Sequence, residues 1–298
     1  MKLKKCLKSV LLTFLFALAL CAVPVCAKAA VFRSVPLSLP GATDEGQRDL
    51  EKVKIGRGYF WIRDYELYYG ASKTAKGQKI SNSTYSAVTD GNVIYFAETS
   101  RASNKATLYS YTVKNKKKKS IENISAVNVH VVGCVGSSVY MDGNDTQGYS
   151  VLRYNLKSKK TSKKTIEYRL DGMNSSYGKY TVGFKIVQDG NYTLKELYLH
   201  NLVTGKGKRI GKNGTGGVHL NSYFTKNKLF YEQVYYKKDP STQQLNYKGT
   251  KIFSYDLKTG KEKSVTKMLK IYTITKLTSN SVTYMQEGTG KIKTVKFS

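Results

Sequence analysis

One short phrase recurs along this chain and constrains the fold more than any other feature. In its clearest form, residues 251–265 (KIFSYDLKTGKEKSV), an extended run leads into a turn at Thr259 and Gly260 and then into a second extended run. Five further copies begin at Glu66, Thr107, Val151, Glu196 and Lys291. Their aligned central positions are spaced 41, 43, 46, 55 and 40 residues apart. A recurring period of this length is typical of a protein built from repeated supersecondary units.

Each unit contains four predicted strands. In the second unit they cover residues 84–89, 93–98, 107–113 and 118–121, and a tight turn at residues 90–92 joins the first two. Tyr, Val, Ile and Thr dominate the strands, and Gly, Asn and Asp mark the turns. A four-stranded antiparallel unit at this period is typical of a propeller blade. The six copies therefore predict an all-β, six-bladed β-propeller.

The two ends of the chain complement each other in this scheme. The last copy reaches Ser298 just after its third strand, while residues 31–39 form a spare extended run at the beginning. An unpaired outer edge on the last blade would be open to aggregation. We therefore expect residues 31–39 to supply the missing strand of that blade and close the ring. Residues 44–54 are the only good helix candidate after the leader.

The first 29 residues read as a secretion signal. Lys2, Lys4, Lys5 and Lys8 precede an apolar run over residues 10–23, and Ala27 and Ala29 stand where signal peptidase requires small residues. We expect cleavage after Ala29, a propeller domain over residues 30–298, and a secreted or cell-wall-associated protein. The alternatives are a membrane anchor, for which the run is short, and a lipid anchor at Cys21 or Cys26. No stable membrane span is expected.

The clearest copy of the phrase matches a known blade motif. The matching positions are Phe253, Tyr255, Asp256, Leu257, Thr259, Gly260, Lys261, Lys263 and Val265. They resemble the motif of secreted TolB-like six-bladed β-propellers of unknown function, which are distantly similar to the propellers of low-density-lipoprotein receptors. The YWTD tetrapeptide of the receptor propellers is absent, and the first copy departs furthest, with Gly70 and Ala71 at the Tyr-Asp positions. The resemblance implies a fold and no reaction.

The chain carries a strong positive charge. Its net charge is +30, and loss of the five leader lysines leaves +25. Such a charge attracts polyanions, which outside a cell are anionic wall polymers rather than nucleic acid. The predicted polyanion-binding residues cluster at the turns between the third and fourth strands, on one face of the ring: Lys116, Lys117, Lys118, Lys119, Lys159, Lys160, Lys163, Lys164, Lys208 and Arg209. The alternative is that these are ordinary solvated side chains.

One insertion offers a second candidate site. Residues 233–249 lengthen the fifth unit between its second and third strands. The insertion brings together three tyrosines, which can stack on sugar rings, and two lysines: Tyr235, Tyr236, Tyr247, Lys237 and Lys238. It therefore predicts a carbohydrate-binding or protein-binding loop. The alternative is a long hairpin whose tyrosines pack on the neighbouring blade.

Signals for catalysis are weak. His130 and His219 lie in predicted first strands and could approach each other at the channel, and residues 142–145 (DGND) read either as a plain turn or as a calcium turn. The linear motifs of serine hydrolases, zinc proteases and phosphate-binding loops are absent. No catalytic residue, metal site or cofactor is expected, and Cys134 reads as a buried thiol. The prediction is a monomeric, non-catalytic binding or scaffold protein. The alternative is a propeller glycoside hydrolase or polysaccharide lyase, whose paired carboxylates would leave no linear motif.

Overall fold

The described part of the chain is built from β-strands. The computed structural model describes residues 31–32, 52–63, 65–100, 105–145, 148–170, 176–189, 192–211, 218–225, 227–242, 244–270, 272–277, 281–286 and 288–296. No helix occurs within these ranges. The helix predicted for residues 44–54 is wrong at its C-terminal end, because Val53–Ile55 form a strand that pairs with residues 58–60 and buries Ile55. Residues 44–51 lie outside the described ranges.

The first half of the chain forms three antiparallel sheets in chain order. A short strand β1 (Val31–Phe32) precedes them. Sheet one contains β2 (Val53–Ile55), β3 (Gly58–Arg63), β4 (Glu66–Gly70) and β5 (Gln78–Ser81). Sheet two contains β6 (Ala87–Thr89), β7 (Val93–Ser100), β8 (Lys105–Thr112) and β9 (Lys117–Ile124). Sheet three contains β10 (Val127–Val135), β11 (Ser138–Asp145), β12 (Gly148–Asn155) and β13 (Lys160–Ile166).

The second half repeats the pattern with variations. Sheet four contains β15 (Ser176–Tyr177), β16 (Tyr180–Asp189), β17 (Tyr192–Asn201) and β18 (Lys206–Ile210), with β14 (Arg169–Leu170) also paired to β16. Sheet five contains β19 (Val218–Thr225), β20 (Lys228–Lys238), β21 (Leu245–Asp256) and β22 (Glu262–Ser264). Sheet six contains β23 (Tyr272–Leu277), β24 (Ser281–Gln286) and β25 (Ile292–Lys296). Apart from β1 and β14 in sheet four, neighbours in sequence are neighbours in space within each sheet.

Consecutive sheets pack face to face, because side chains alternate between the two faces of each strand. In β7, for example, Ile94 and Phe96 pack against sheet one, whereas Tyr95 and Ala97 pack against sheet three. Similar apolar clusters join sheets three and four, four and five, and five and six. The first strands also contact one another, β10 meeting β6 and β15, and β15 meeting β19. Sheets stacked in chain order with their first strands converging form a β-propeller.

The repeated phrase corresponds to one structural device. Its central residue lies on the third strand of each sheet and is buried at Tyr111, Tyr154, His200 and Tyr255. The turn that follows closes with a backbone hydrogen bond of 2.8 Å, from Gly260 N to Asp256 O in the clearest copy. The sequence-based strands of the second unit are confirmed in order and differ from β6–β9 by at most three residues at any end.

The N-terminal run does not pair as expected. Val31–Phe32 lie antiparallel to Ser176–Tyr177 at the inner edge of sheet four, not beside β25. Because β15 is the first strand of its sheet, its outward backbone groups are open to a further strand, and β1 occupies that edge. The predicted closure of the last sheet is therefore not the pairing found for residues 31–32. Residues 33–39 and the predicted signal peptide lie outside the described part of the chain.

Candidate functional site

The basic residues singled out from the sequence lie mainly on outer strands. Eight of the ten belong to β9, β13 and β18, the fourth strands of sheets two, three and four, and only Lys116 and Lys159 lie in turns. All ten are exposed. The expectation that they cluster at the turns is thus corrected, because each lysine run begins in a short turn and continues along the fourth strand. The basic surface follows the outer edges of three neighbouring sheets.

At least four of these side chains have partners within the described part of the protein. Lys118 Nζ lies 2.6 Å from Glu98 Oε1, and Arg209 Nη2 lies 2.8 Å from Glu196 Oε1. Lys164 donates a 2.8 Å hydrogen bond from sheet three to the carbonyl of Gly205 in sheet four. Lys208 likewise reaches from sheet four to the Tyr255 hydroxyl of sheet five, at 3.2 Å. Lys164 and Lys208 therefore link neighbouring sheets, whereas Lys118 and Arg209 pair within their own sheets. The case for a polyanion surface is carried by Lys116, Lys117, Lys119, Lys159 and Lys160.

The lysine turns have an unusual backbone. The fifth residue of this turn has positive φ in five sheets, and it is Lys116 (53°), Lys159 (55°), Gly205 (63°), Gly260 (70°) and Gly290 (62°). Glycine adopts this conformation at little cost, whereas another residue is strained there by about 1–2 kcal/mol. Sheets two and three thus have a lysine at the position where three other sheets have glycine. Both strained lysines border the basic surface.

The predicted insertion is a long hairpin. β20 and β21 extend beyond the rest of sheet five and are joined by a turn in which Asp239 N donates to Gln244 O at 2.7 Å. Tyr236 and Tyr247 are cross-strand partners with ring centroids 6.3 Å apart. The Tyr247 hydroxyl bonds to Thr250 and to the carbonyl of Lys270, which leads into sheet six. The hairpin is therefore anchored to the neighbouring sheet.

The hairpin tyrosines do not form one platform. The Nζ atom of Lys251 lies 5.7 Å from the ring centroid of Tyr235. Burial raises the pKa of Tyr235, and the nearby charge of Glu262 raises it further. Because side chains alternate along a strand, Tyr235 lies on the face toward sheet four, whereas Tyr236 and Tyr247 lie toward sheet six. Lys237 is exposed. The predicted grouping of Tyr235, Tyr236, Lys237, Lys238 and Tyr247 is thus divided between two faces.

A polar cleft that sequence reasoning missed lies between sheets one and two. Its volume is about 660 Å³. Its lining comes from the link between β5 and β6, from the ends of β7 and β8, and from β9: Ile80, Ser81, Asn82, Ser83, Glu98, Thr99, Lys105, Thr107, Tyr109, Lys118, Asn123, Ile124 and Ser125. These residues are scattered over more than forty positions in sequence, so no linear motif could have indicated the cleft.

His130, Asp142 and Glu232 are buried and bonded within the protein; the side chain of His219 lies outside the described part of the structure. His130 Nδ1 lies 3.0 Å from both carboxylate oxygens of buried Asp142, and the His130 backbone N–H donates to the same group at 2.7 Å. Asp142 belongs to β11, so neither the plain turn nor the calcium turn predicted at residues 142–145 is present. Glu232, another residue near a predicted loop, is buried and accepts a hydrogen bond from Tyr272.

Two further buried groups have shifted pKa values. His200 Nδ1 lies 2.6 Å from the Tyr168 hydroxyl, and burial followed by the charge of Lys164 lowers the pKa of His200 to about 4. Burial and, to a smaller degree, Asp90 raise the pKa of the Cys134 thiol to about 12. Cys134 is buried and unpaired, and the raised pKa keeps it a neutral thiol.

The described ranges contain no group of three or more His, Cys, Asp or Glu side chains placed to hold a metal ion. Over the same residues, no helix has the length and apolar character needed to cross a membrane.

Comparisons with known proteins identify the fold. No protein-family model matches the chain, and no curated protein matches it either. Among solved structures, the tricorn protease is similar at 9% identity with a TM-score of 0.52, over 83% of this chain and 30% of that one. TolB from Acinetobacter baumannii is 12% identical with a TM-score of 0.44, over 90% of this chain and 63% of that one. The β-propeller domain of the Trilobed protease from Pyrococcus furiosus is 12% identical with a TM-score of 0.47, over 83% and 84%.

The similarity concerns the fold alone at these identities. This chain spans about a third of the tricorn protease chain and just under two thirds of the TolB chain. The stacked antiparallel sheets with converging first strands confirm the all-β propeller predicted from the repeat.

Proposed function

We propose that this protein is a secreted, non-catalytic binding propeller that recognises an anionic polymer of the cell envelope through its outer strands. The observation that carries the proposal is the row of exposed lysines on β9 and β13, in two neighbouring sheets. Six consecutive sheets in the described ranges, matching six copies of the phrase, support a six-bladed ring as its scaffold. The predicted leader supports export, and a monomer is sufficient for this role.

The arrangement of the lysines supports a polymer as the ligand. Lys117 and Lys119 are exposed along β9, and Lys160 is exposed at the start of β13. A rigid sheet fixes the spacing of its side chains, so a repeating anion can contact several ammonium groups without ordering a loop. The strained conformations of Lys116 and Lys159 support the same conclusion, because backbone strain tends to be retained at functional sites.

Retention on immobilised polyphosphate tests the proposal. A variant with Lys117→Ser, Lys119→Ser and Lys160→Ser should bind roughly 100-fold more weakly, since each lysine contributes about 1 kcal/mol at an anionic surface. Wild-type retention should fall as NaCl rises, because salt screens exposed charge. The elution concentration of NaCl is the measurement.

The matched control removes the same charge elsewhere. Lys267, Lys291 and Lys293 are exposed in or just before sheet six, and replacing these three by serine should leave elution close to that of the wild type. Equal shifts in the two triple variants would show that net charge alone drives retention. That result, or retention insensitive to NaCl, would reject an outer-strand site.

A further inference from the structure

The cleft between sheets one and two has the dimensions and chemistry of a ligand site. Its volume of about 660 Å³ lies within the usual range of roughly 300–1,000 Å³ for small-molecule sites. Both walls are held in place by the protein, since Ser83 Oγ donates a 3.1 Å hydrogen bond across the cleft to the carbonyl of Thr99. At the base, Ser81 and Thr84 share a hydrogen bond of 2.6 Å between buried hydroxyls.

The polar groups of the wall suit a ligand with many hydroxyls. Thr107 Oγ1 donates to Asn123 Oδ1 at 3.0 Å, which leaves the Asn123 amide N–H groups as donors. Glu98 adds a carboxylate to the lining, whose oxygens accept hydrogen bonds from hydroxyl groups.

The charges of the wall do not balance. Lys118 Nζ is paired with Glu98 at 2.6 Å, and Lys105 is a second, exposed ammonium group in the lining. Two ammonium groups face one carboxylate, so the cleft has a net charge of +1. A ligand with a single carboxylate would neutralise it.

An aromatic ring completes the lining. Tyr109 stacks on Phe96 at a centroid distance of 5.7 Å, and Lys118 Nζ lies 4.3 Å from the Tyr109 centroid. The ring is thereby fixed next to the ammonium group. A ligand carboxylate held by Lys118 would therefore lie close to this ring.

We propose that this cleft binds a hexuronate, the carboxylated sugar unit of an acidic polysaccharide, with Lys105 and Lys118 on the carboxylate and Asn123 and Glu98 on the hydroxyls. The inference rests on the proposed function in taking the protein to be a binder of anionic polymers, and it adds a sugar-specific site. The cleft lies where the second strand of sheet two ends and the third begins, and Lys118 of the fourth strand belongs both to its lining and to the basic surface.

Calorimetric titration with digalacturonate and with neutral digalactose tests the cleft directly. Wild-type protein should bind digalacturonate saturably and bind digalactose at least about tenfold more weakly. Lys105→Met should weaken digalacturonate binding about tenfold, the usual effect of losing one hydrogen bond to a charged group.

The first sheet provides a matched control. Glu66 and Lys79 form an ion pair of 2.9 Å outside the cleft lining, so Lys79→Met removes the same charge and should leave binding unchanged. Absence of saturable binding to wild type, equal binding of the neutral sugar, or equal losses in Lys105→Met and Lys79→Met would overturn the proposal.

The two proposals fail separately. The triple variant Lys117→Ser, Lys119→Ser and Lys160→Ser should lose polyphosphate retention and still bind digalacturonate. If digalacturonate binding disappears in that variant while its melting temperature is unchanged, the sugar is held by the outer strands, and the cleft proposal is wrong. Loss of polyphosphate retention alone leaves the cleft proposal supported.

Discussion

The inner and outer strands of sheets two and three differ in burial and in charge. Residues 129–134 of β10 are all buried, and β6 is buried throughout, whereas every residue of β13 except Ile166 is exposed. The inner strands contact the inner strands of neighbouring sheets, and the outer strands carry lysine. The comparison teaches that the buried inner strands hold the sheets together, whereas the outer strands face solvent and are accessible to ligands.

The boundary between the two regions is not absolute. Lys164 and Lys208 stand on outer strands, yet each bonds to a residue of the next sheet. Exposed bonds of this kind contribute little individually. Lys164 also places its positive charge close to buried His200. Three predictions test how far the division into inner and outer regions holds.

The largest effect is expected from the core. Leu108 is fully buried on β8 between sheets two and three, and Lys119 is exposed on the adjacent β9. Leu108→Ala should lower the free energy of unfolding by about 2–5 kcal/mol, since it leaves a cavity. Lys119→Ala should change it by less than about 0.5 kcal/mol. Urea denaturation measures both, and similar losses in the two variants would contradict the division.

The next largest effect is the dependence of folding stability on pH, which we expect to arise from His200. Its pKa is about 4 in the folded protein and about 6.5 in an unfolded chain. The unfolded state therefore binds a proton first on acidification. The stability contributed by the neutral ring is fully present above about pH 6.5 and is lost as pH falls toward 4. The loss amounts to roughly 3 kcal/mol.

The substitution His200→Gln separates the contribution of His200 to the pH dependence from that of other groups. His200→Gln retains an acceptor for the Tyr168 hydroxyl and does not titrate. Its free energy of unfolding should fall less than that of the wild type between about pH 7 and pH 4.5, as measured by urea denaturation at several pH values. Parallel curves for the two proteins would show that His200 is not the responsible group.

The smallest effect concerns the turns. Lys159→Gly should raise the free energy of unfolding by about 0.5 kcal/mol, because relief of the strained φ exceeds the entropy that glycine adds to the unfolded chain. Gly290 has positive φ and open space at its Cβ position, so Gly290→Ala should cost about 1 kcal/mol through φ alone. Thermal unfolding measures both. A loss of stability in Lys159→Gly would mean that its side chain makes a stabilising contact.

Much of the fold could be predicted because the repeat combines two local signals. Alternating apolar residues indicate strands, and Asp256 and Gly260 suit the turn that closes with their 2.8 Å hydrogen bond. The pairing of Val31–Phe32 with β15 could not be predicted, because a short extended run fits any open edge. The strand at residues 142–145 was also missed, because Asp and Gly there suit turns until Asp142 finds buried His130 as a partner.

The candidate sites were less accessible from the sequence. The lysine runs were visible as composition, but their position on β9 and β13 depends on where each turn ends. The hairpin tyrosines were adjacent in sequence, and strand alternation placed Tyr235 and Tyr236 on opposite faces. The cleft was not indicated at all, because Ser83, Thr99 and Asn123 meet only when two sheets pack.

The sequence by itself determined the local units, namely antiparallel strands joined by recurring turns, because the hydrogen-bonded strands within each unit are, with the exception of β1 and β14, consecutive along the chain. Only the tertiary structure decided which lysines became bonds between sheets, which tyrosines shared a face and where a polar cleft opened. Those outcomes depend on contacts between residues in different sheets, and the packing of whole sheets sets such distances.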